Sequence, residues 1–233
     1  MGHVRYGRTE GLGREVVEPA AVTNHEVRLT GLRAGSTVHY EVGWDGRAWP
    51  RSTFRTAPID DRPISFVVWG DNQNGPDTFS DLVDHMAELD PDFMVSVGDI
   101  VQNGTRGEYR SQLLRPIHPA AARSPFLVAG GNHERYSDSS GTLFDEYMAQ
   151  PGDEHCFGWR YGDVFVLFVD SDLSIDSGSD QRECIESELE SAAATSARVV
   201  AAAFHKPPRV EWWFGGILAF TREMEAPWIR EDL

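Results

Sequence analysis

The protein has 233 residues, of which 40% are hydrophobic and 25% charged, values typical of a folded chain with room for one or two buried cores. The formal net charge of −16 at pH 7, with a single lysine at Lys206, argues against a nucleic-acid partner, because an acidic surface repels phosphates. No apolar run reaches the roughly 18 residues of a membrane span, and MGHVRYGRTE lacks the apolar stretch of a secretory signal.

Residues 1–58 predict a small all-β region. Three segments, VRYG, EVRLTGL and TVHYEVGW, alternate apolar and polar residues with the period of two that is typical of strands. NHEVRLTGLRAGSTVHYEV followed by FRTAP resembles the second half of a fibronectin type III-like module, a kind that often precedes the catalytic domain of purple acid phosphatase-like proteins. The match departs at Ala34, where proline is usual, and at Val38, where an aromatic is usual. Such a module needs about 100 residues, so the resemblance implies a partial one.

A linker and an α/β domain, residues 59–233, are predicted to follow. TAPIDDRP combines prolines with aspartates and is typical of an inter-domain linker. Beyond it, strand-like apolar runs alternate with helical stretches, the pattern of an α/β domain. One helix is predicted after a cap at Thr78 from apolar residues at three- and four-residue spacing, namely Phe79, Leu82, Val83, Met86 and Leu89. A second helix is predicted through SDQRECIESELES, with Asp180 and Glu183 as its capping pair.

Five successive apolar runs end at residues that can bind metal ions. The runs ISFVVWG, DFMVSVG, PFLVAGG, VFVLFV and RVVAAAF end at Asp71, Asp99, Asn132-His133, Asp170 and His205. Any one of these residues would more often be a turn former, a helix cap or a buried histidine. In α/β sheets, however, ligands bind at the carboxyl ends of the strands, and coincidence at the same end of every strand is not expected. The pattern therefore predicts a metal site at one sheet edge.

The motifs around these residues resemble those of the calcineurin-like metallophosphoesterases. GDNQ (70–73), GDIVQNG (98–104), GNHE (131–134) and FHKPP (204–208) stand in that family's order, and the resemblance runs from about Ile64 to the last residue. GNHE at this distance after the second Gly-Asp motif is specific, whereas GDNQ alone is weak. The resemblance implies an α/β fold of the α+β sandwich type, with mixed sheets flanked by helices.

The resemblance also implies a chemistry. Two divalent metal ions (zinc, manganese or iron), about 3.5–4 Å apart, would hold the phosphate of a small-molecule ester, with a bridging hydroxide as the nucleophile. Asp99 would bridge both ions, and Asp71 would bind the first. Asn132 and His205 would bind the second. His133 would face the leaving-group oxygen, where it donates a proton or stabilises the transition state. The implied activity is hydrolysis of phosphomonoesters or phosphodiesters.

Three departures from the family pattern bear on activity. Gln73 stands where many members have a metal-binding histidine, and its amide oxygen is a neutral, weaker ligand. Gln102 stands where the purple, iron(III)-containing enzymes have a tyrosinate, so neither a tyrosinate-bound ferric ion nor its colour is expected. The family's Gly-His-x-His motif, which supplies one histidine to each ion, does not occur in the sequence. The hypothesis is that the 233 residues are a fragment of a longer product, with weak metal binding and reduced or no activity.

Two other functions fit parts of the sequence. A non-catalytic extracellular binding protein on the same scaffold would explain Gln73 and the lack of Gly-His-x-His, but it has no need for His133. A Rossmann-type nucleotide binder is opposed by GDNQNG, which lacks the Gly-x-Gly-x-x-Gly spacing that a pyrophosphate requires. The fibronectin-like resemblance alone suggests that the full-length protein is secreted or periplasmic.

Other residues have structural predictions only. Cys156 and Cys184 are predicted to be packing residues, with a single disulfide as the alternative. His85, His118 and His155 are predicted to be structural or exposed. Aromatics that could line a substrate pocket are at this density more often core residues; they are Tyr109, Tyr136, Trp159, Trp212 and Trp213.

Overall fold

Five strands form an antiparallel sheet in the N-terminal region of the computed structural model, which describes residues 2–18, 20, 22–44 and 46–207. They are β1 (Gly2–Gly7), β2 (Arg14–Glu18), β3 (Thr37–Trp44), β4 (Arg47–Ala48) and β5 (Ser52–Arg55). The sheet order is β2-β1-β3-β4, and β5 also pairs with β3. The region is all-β as expected, while its assignment to a partial fibronectin type III-like module stays a prediction.

One predicted strand of this region is wrong. The segment EVRLTGL, residues 26–32, is not a strand, and β2 pairs with β1 instead. The chain turns at Gly31, whose φ of 65° lies outside the extended region. The carbonyls of Thr30 and Gly31 accept hydrogen bonds from the guanidinium of Arg14 rather than from the backbone N–H groups of a strand. Alternating hydrophobicity alone does not show whether a ladder partner is within reach.

Two three-stranded sheets form the larger part of the structure. The first is parallel and contains β6 (Phe66–Trp69), β7 (Phe93–Ser96) and β8 (Phe126–Val128) in that order. The second has the order β11-β10-β9, built from β9 (Cys156–Tyr161), β10 (Val164–Val169) and β11 (Val199–Ala203). Here β10 runs parallel to β11 and antiparallel to β9. The five strands that end in candidate ligands therefore belong to two sheets, which corrects the single edge expected from the sequence.

Helices connect the strands of both sheets. They are α1 (Pro76–Glu88), α2 (Arg106–Glu108), a π-helix (Tyr109–Leu114), α3 (Arg115–Ala121), a 3-10 turn (His133–Arg135), α4 (Thr142–Tyr147), α5 (Asp180–Glu190) and α6 (Ala192–Thr195). Both predicted caps are wrong. Helix α1 begins at Pro76, so Thr78 lies inside it, and α5 is capped by Ser179, whose hydroxyl accepts from the N–H of Arg182. Proline suits the first helical position because its missing N–H needs no partner there.

Four layers, helix-sheet-sheet-helix, follow from the alternation of side chains along the strands. Phe93 and Val95 of β7 face the second sheet, whereas Met94 packs with Phe79, Val83 and Met86 of α1. In β10, three residues face the first sheet (Val164, Val166, Phe168) and three face α5 and α6 (Phe165, Leu167, Val169). Strands covered on both faces read as continuous apolar runs, which is why their period was not visible in the sequence.

A disulfide between Cys156 and Cys184 joins β9 to α5. The prediction that these cysteines are packing residues is wrong, and the alternative is correct. The two cysteines are 28 residues apart in the chain and meet only because α5 packs on the sheet. Their distance in space could therefore not be predicted from the sequence. Closing a loop of this length removes chain entropy from the unfolded state worth about 3–4 kcal/mol.

Polar contacts join the N-terminal sheet to the two-sheet region. The hydroxyls of Tyr40 and Ser52 donate to the carbonyl of Ala122, at 2.7 and 3.1 Å. Near the linker, Arg62 binds the buried carboxylate of Asp92 at 2.6 Å. Within the described part of the chain, no helix has the length and apolar character needed to cross a bilayer.

Candidate metal centre

Asp71 and Asp99 sit in two neighbouring loops with the same unusual backbone. Each follows a strand of the parallel sheet, and their φ angles are 55° and 54°. Non-glycine residues rarely adopt this region, and they persist there when the surroundings hold them. The N–H of Asp71 donates to the carbonyl of Gly98 at 3.1 Å, and the N–H of Gln73 donates to the carbonyl of Asp99 at 3.2 Å. The two loops thus hold each other at the carboxyl end of the sheet.

Asp99 is the centre of the site. It is 3% exposed, and its Oδ2 lies 3.2 Å from Nε2 of His205 and 3.6 Å from Nε2 of His133. Its Oδ1 accepts the N–H of His133 at 3.0 Å. Burial alone would raise the pKa of Asp99, but the hydrogen bonds from His205 and His133 outweigh it and hold that pKa below the ordinary value. The carboxylate is therefore ionised and available to a cation.

Three of the five predicted metal ligands converge. Ligand atoms of Asp71, Asp99 and His205 all lie within 4.8 Å of one another. Gln73 joins them, because its Nε2 lies 3.4 Å from Oδ2 of Asp99. The side chain of Asn132 contacts Tyr136, with its Nδ2 donating to the hydroxyl at 2.9 Å. Four predicted ligands are thus gathered at Asp99, and the fifth lies in the adjacent turn.

The donor set fits a divalent cation. Two carboxylates and an imidazole are the ligand types that zinc, manganese and iron bind. The amide oxygen Oε1 of Gln73 is buried without a hydrogen-bond donor, a costly arrangement that a cation would relieve. Asp71 is exposed, so the cluster opens to solvent on one side and an ion can enter there.

His133 is oriented by the loop of Asp99. Its Nδ1 lies 2.7 Å from the carbonyl of Gln102, and because a carbonyl can only accept, Nδ1 carries a proton. Its Nε2 then faces the Asp99 carboxylate and the space beside it. The ring is held to a fixed tautomer by its backbone partner, as metal-site and catalytic histidines commonly are.

Glu134 is a site residue to which no role was assigned from the sequence. It is 1% exposed, and its carboxylate accepts backbone N–H groups of Asp99 (3.0 Å), Ile100 (2.8 Å), Val101 (3.3 Å) and Gly131 (2.7 Å). Burial, followed by the charge of Asp99, raises the pKa of Glu134 to about 7. Its place directly after His133 in GNHE was the available signal, but the sequence could not show which loop it would bind.

Glycines permit this close packing. A Cβ at Gly131 would lie 2.4 Å from Oδ1 of Asp99, and one at Gly104 would lie 2.1 Å from the carbonyl oxygen of Glu134. Both contacts are shorter than any side chain allows. The glycines of the second and third motifs therefore let the two ligand-bearing loops approach each other.

Asp170, the fourth of the five strand ends, lies in an ion-pair network instead of the cluster. Its buried Oδ2 lies 2.7 Å from the guanidinium of Arg135 and 3.0 Å from Nδ1 of His155. Burial would raise the pKa of Asp170, but these two partners lower it, and Asp170 in turn raises the pKa of His155. Arg135 belongs to the 3-10 turn His133–Arg135, so this carboxylate supports the turn that carries His133.

The remaining predicted residues are structural or lie elsewhere. His85 is on the exposed surface of α1, and His118 contacts the ring of Trp49 at 5.4 Å. Tyr109 is fully buried and Trp159 packs against Phe93, as expected of core aromatics. Tyr136 differs, because it is exposed beside His133. Trp212 and Trp213 lie outside the described residues.

Comparison with known protein families matches residues 64–223 to the calcineurin-like phosphoesterases. The chain belongs to the calcineurin-like phosphoesterase family. The match begins at β6, the strand before Asp71, and covers every candidate ligand. It confirms the family resemblance carried by the Gly-Asp, GNHE and FHKPP motifs.

Curated relatives of the chain include purple acid phosphatases and an acid phosphatase. The chain is 26% identical to purple acid phosphatase 22 of Arabidopsis thaliana over 71% of its length and 39% of the relative's. It is 23% identical to purple acid phosphatase 15 of the same plant, over 86% of its length and 44% of the relative's. Acid phosphatase type 7 of Danio rerio is 25% identical, with 74% and 40% covered. The chain thus spans less than half the length of these relatives.

Solved structures share the fold. A purple acid phosphatase from yellow lupin (Lupinus luteus) seeds superimposes with a TM-score of 0.74 at 18% identity, covering 89% of this chain and 46% of that one. The structure of PhoD superimposes with a TM-score of 0.62 at 14% identity, covering 86% and 54%. These likenesses confirm the mixed α/β architecture of the metallophosphoesterase type.

Proposed function

We propose that this chain carries the phosphate-ester hydrolysis site of a metal-dependent phosphoesterase that acts on phosphomonoesters or phosphodiesters. The observation that supports this most is the convergence of Asp71, Asp99 and His205 within 4.8 Å, with Nε2 of His133 3.6 Å from Asp99. Phosphoryl transfer to water requires a cation site and a proton donor. The three converging ligands would form the cation site, and His133 would be the proton donor.

The ligand assignment that we propose is the one that the family motifs imply. Asp71, Gln73 and Asp99 would hold one ion, and Asp99, Asn132 and His205 would hold a second. When bound, two divalent ions supply the positive charge that draws and polarises a phosphate and lower the pKa of water at the site. The acidic surface, with its net charge of −16, would otherwise repel such a substrate.

His133 would act on the leaving group. With Nδ1 fixed on the carbonyl of Gln102, its Nε2 is the atom that can hold and release a proton. A proton given from Nε2 to the departing oxygen avoids the formation of a free alkoxide, which is the main barrier for esters of weakly acidic alcohols. The Asp99 carboxylate, 3.6 Å from Nε2, places this atom beside the candidate metal ligands.

Metal binding by the 233 residues alone is expected to be weak, and their activity reduced or absent. Gln73 offers a neutral ligand, and the sequence contains no Gly-His-x-His motif. The lack of that motif removes one imidazole from each ion, and Gln73 replaces a further imidazole at the first ion. The same features support the second candidate, a non-catalytic extracellular binding protein on this scaffold. The disulfide between Cys156 and Cys184 fits export in either case, because disulfides persist in oxidising compartments.

The test measures metal content and phosphate release together. The 233-residue chain is loaded with zinc, manganese or iron(II), its bound metal is quantified after dialysis, and hydrolysis of p-nitrophenyl phosphate and bis-p-nitrophenyl phosphate is followed. Asp99→Asn should abolish metal retention and any hydrolysis, while Asp77→Asn, an exposed carboxylate on α1, should change neither. Metal-dependent hydrolysis lost in Asp99→Asn supports the enzyme. Retained metal without hydrolysis favours the binding protein.

A further inference from the structure

Tyr136 contacts two candidate site residues while remaining largely exposed. Its ring centroid lies 4.4 Å from that of His133, at an interplanar angle of 39°. Its hydroxyl accepts the Nδ2–H of Asn132 at 2.9 Å. The residue is nevertheless 59% exposed, whereas Tyr109, another aromatic near the site motifs, is fully buried. The first residue after the 3-10 turn therefore places a solvent-exposed tyrosine ring beside His133.

The hydroxyl of Tyr136 holds the side chain of Asn132 by its nitrogen end. A carboxamide has one end that can bind a cation, the oxygen Oδ1, and one end that can only donate hydrogen bonds, the nitrogen Nδ2. Because Nδ2 donates to Tyr136, Oδ1 is the end of the amide that does not contact the hydroxyl. Partners of this kind, one bond removed from a metal, commonly set a ligand's orientation.

The ring of Tyr136 forms part of the surface next to Nε2 of His133. One side packs on the imidazole, and the exposed remainder is an apolar face on a strongly acidic molecule. Aromatic rings attract one another in offset or edge-to-face arrangements beyond simple area burial. A leaving group that receives its proton from His133 would lie within reach of this face, and a planar aromatic one would gain the most contact.

We propose that Tyr136 is a positioning and specificity residue: its hydroxyl holds Asn132 with Oδ1 available to a divalent ion, and its ring receives the planar aromatic leaving group of a phosphate ester. This inference rests on the proposed function of the site. Tyr136→Phe removes the hydroxyl and keeps the ring, whereas Tyr136→Leu removes both, so the two roles can be measured separately.

The test uses the full 233-residue chain and needs no turnover. Zinc affinity is measured by calorimetry for the wild type, Tyr136→Phe, Tyr136→Leu and the control Tyr6→Phe, which removes a hydroxyl in β1. Affinity of the zinc-loaded protein for phenylphosphonate is then divided by that for ethylphosphonate. We expect Tyr136→Phe to weaken zinc binding about tenfold while keeping the aryl-to-alkyl ratio. Tyr136→Leu should weaken zinc binding similarly and lower the ratio about three- to tenfold. Tyr6→Phe should change neither.

The outcomes separate this inference from the proposed function. Unchanged zinc affinity in Tyr136→Phe overturns the positioning role, and an unchanged ratio in Tyr136→Leu overturns the specificity role. If the wild type binds zinc and both phosphonates but hydrolyses no ester, catalysis fails while the expected ratios still support Tyr136. If the wild type takes up no zinc, the metal site and the inference fail together. Thermal unfolding of each variant without metal checks that a merely structural loss is not being measured.

Discussion

Nε2 of His205 lies 3.2 Å from Oδ2 of Asp99, although His205 follows β11 of one sheet and Asp99 follows β7 of the other. The pair marks where the carboxyl ends of the two sheets meet. Burial alone would lower the pKa of His205, but the contact with Asp99 raises it. Both side chains are only 5% exposed, so water screens the attraction between the imidazole and the carboxylate very little.

His205→Ala should reduce the metal content of the chain. The substitution removes the imidazole from the cluster of Asp71, Asp99 and His205. Because loss of a residue that only supports a metal ligand already weakens metal binding about tenfold, loss of a ligand should weaken zinc binding by at least about tenfold. Metal content after dialysis against a graded series of free zinc measures it. His85→Ala, whose side chain is 77% exposed on α1, is the matched control. Equal zinc retention by both variants would remove His205 from the ligand set.

Glu134→Ala should destabilise the fold and loosen the Asp99 loop. Four backbone N–H groups would lose their common acceptor, and each buried, unpaired donor is costly, so a loss of at least about 3 kcal/mol in the free energy of unfolding is expected. Glu134→Gln should cost less, because it keeps one acceptor oxygen. Urea unfolding of the metal-free proteins gives both values. Glu88→Ala, at an exposed position of α1, should cost little, and a similar cost at both positions would contradict the role of Glu134 in holding the Asp99 loop.

Asp170→Asn should be among the most destabilising single substitutions. It leaves Arg135 and His155 without their shared anion in a buried setting, for which about 3–5 kcal/mol is typical. The comparison is Asp163→Asn, which disrupts a largely exposed pair with Arg198 and should cost less than about 1 kcal/mol. Chemical unfolding of both variants decides the matter; a small effect at Asp170 would show that the network does not support the turn that carries His133.

The stabilising effect of His155 should depend on pH in a defined direction. Because Asp170 raises the pKa of His155, the protonated ring is favoured by folding, so its contribution is full below the ordinary value of 6.5 and is lost as the pH rises through the folded value. The pKa of Asp170 is lowered, so its contribution is lost only when the pH falls below the ordinary 3.8 and through the folded value. The free energy of unfolding of the wild type minus that of His155→Gln should be larger at pH 5 than at pH 9. Equal differences at the two pH values would be inconsistent with this coupling.

The disulfide should contribute measurably to stability. Cys156→Ser combined with Cys184→Ser is expected to lower the free energy of unfolding by about 3–4 kcal/mol, from the entropy of the loop of 28 residues that the bond closes. Addition of a reductant should weaken the wild type by a similar amount and leave the double variant unchanged. A double variant as stable as the oxidised wild type would refute the contribution.

Local chemistry in the sequence was enough to find the strand ends and the family. Asp71, Asp99, Asn132, His133 and His205 each follow an apolar run, and a run followed by a ligand is a feature of neighbouring residues alone. The same reasoning failed for helix caps, because Thr78 and Asp180 are capable caps and only the actual start of a helix decides which residue serves. It also placed Asp170 with the ligands, since the sequence cannot show that Arg135 and His155 reach it first.

By itself, then, the sequence determined which residue types stand after which strands, and so the family and the kind of site that these residues can form. Only the tertiary structure decided what each of them touches. The packing of the two sheets and their loops decided four features: the pairing of Asp99 with His205, the hydrogen bonds of Glu134, the disulfide of Cys156 and the exposed ring of Tyr136. The physical reason is that hydrogen bonds and ion pairs act over a few ångströms, a range set by packing and not by order along the chain.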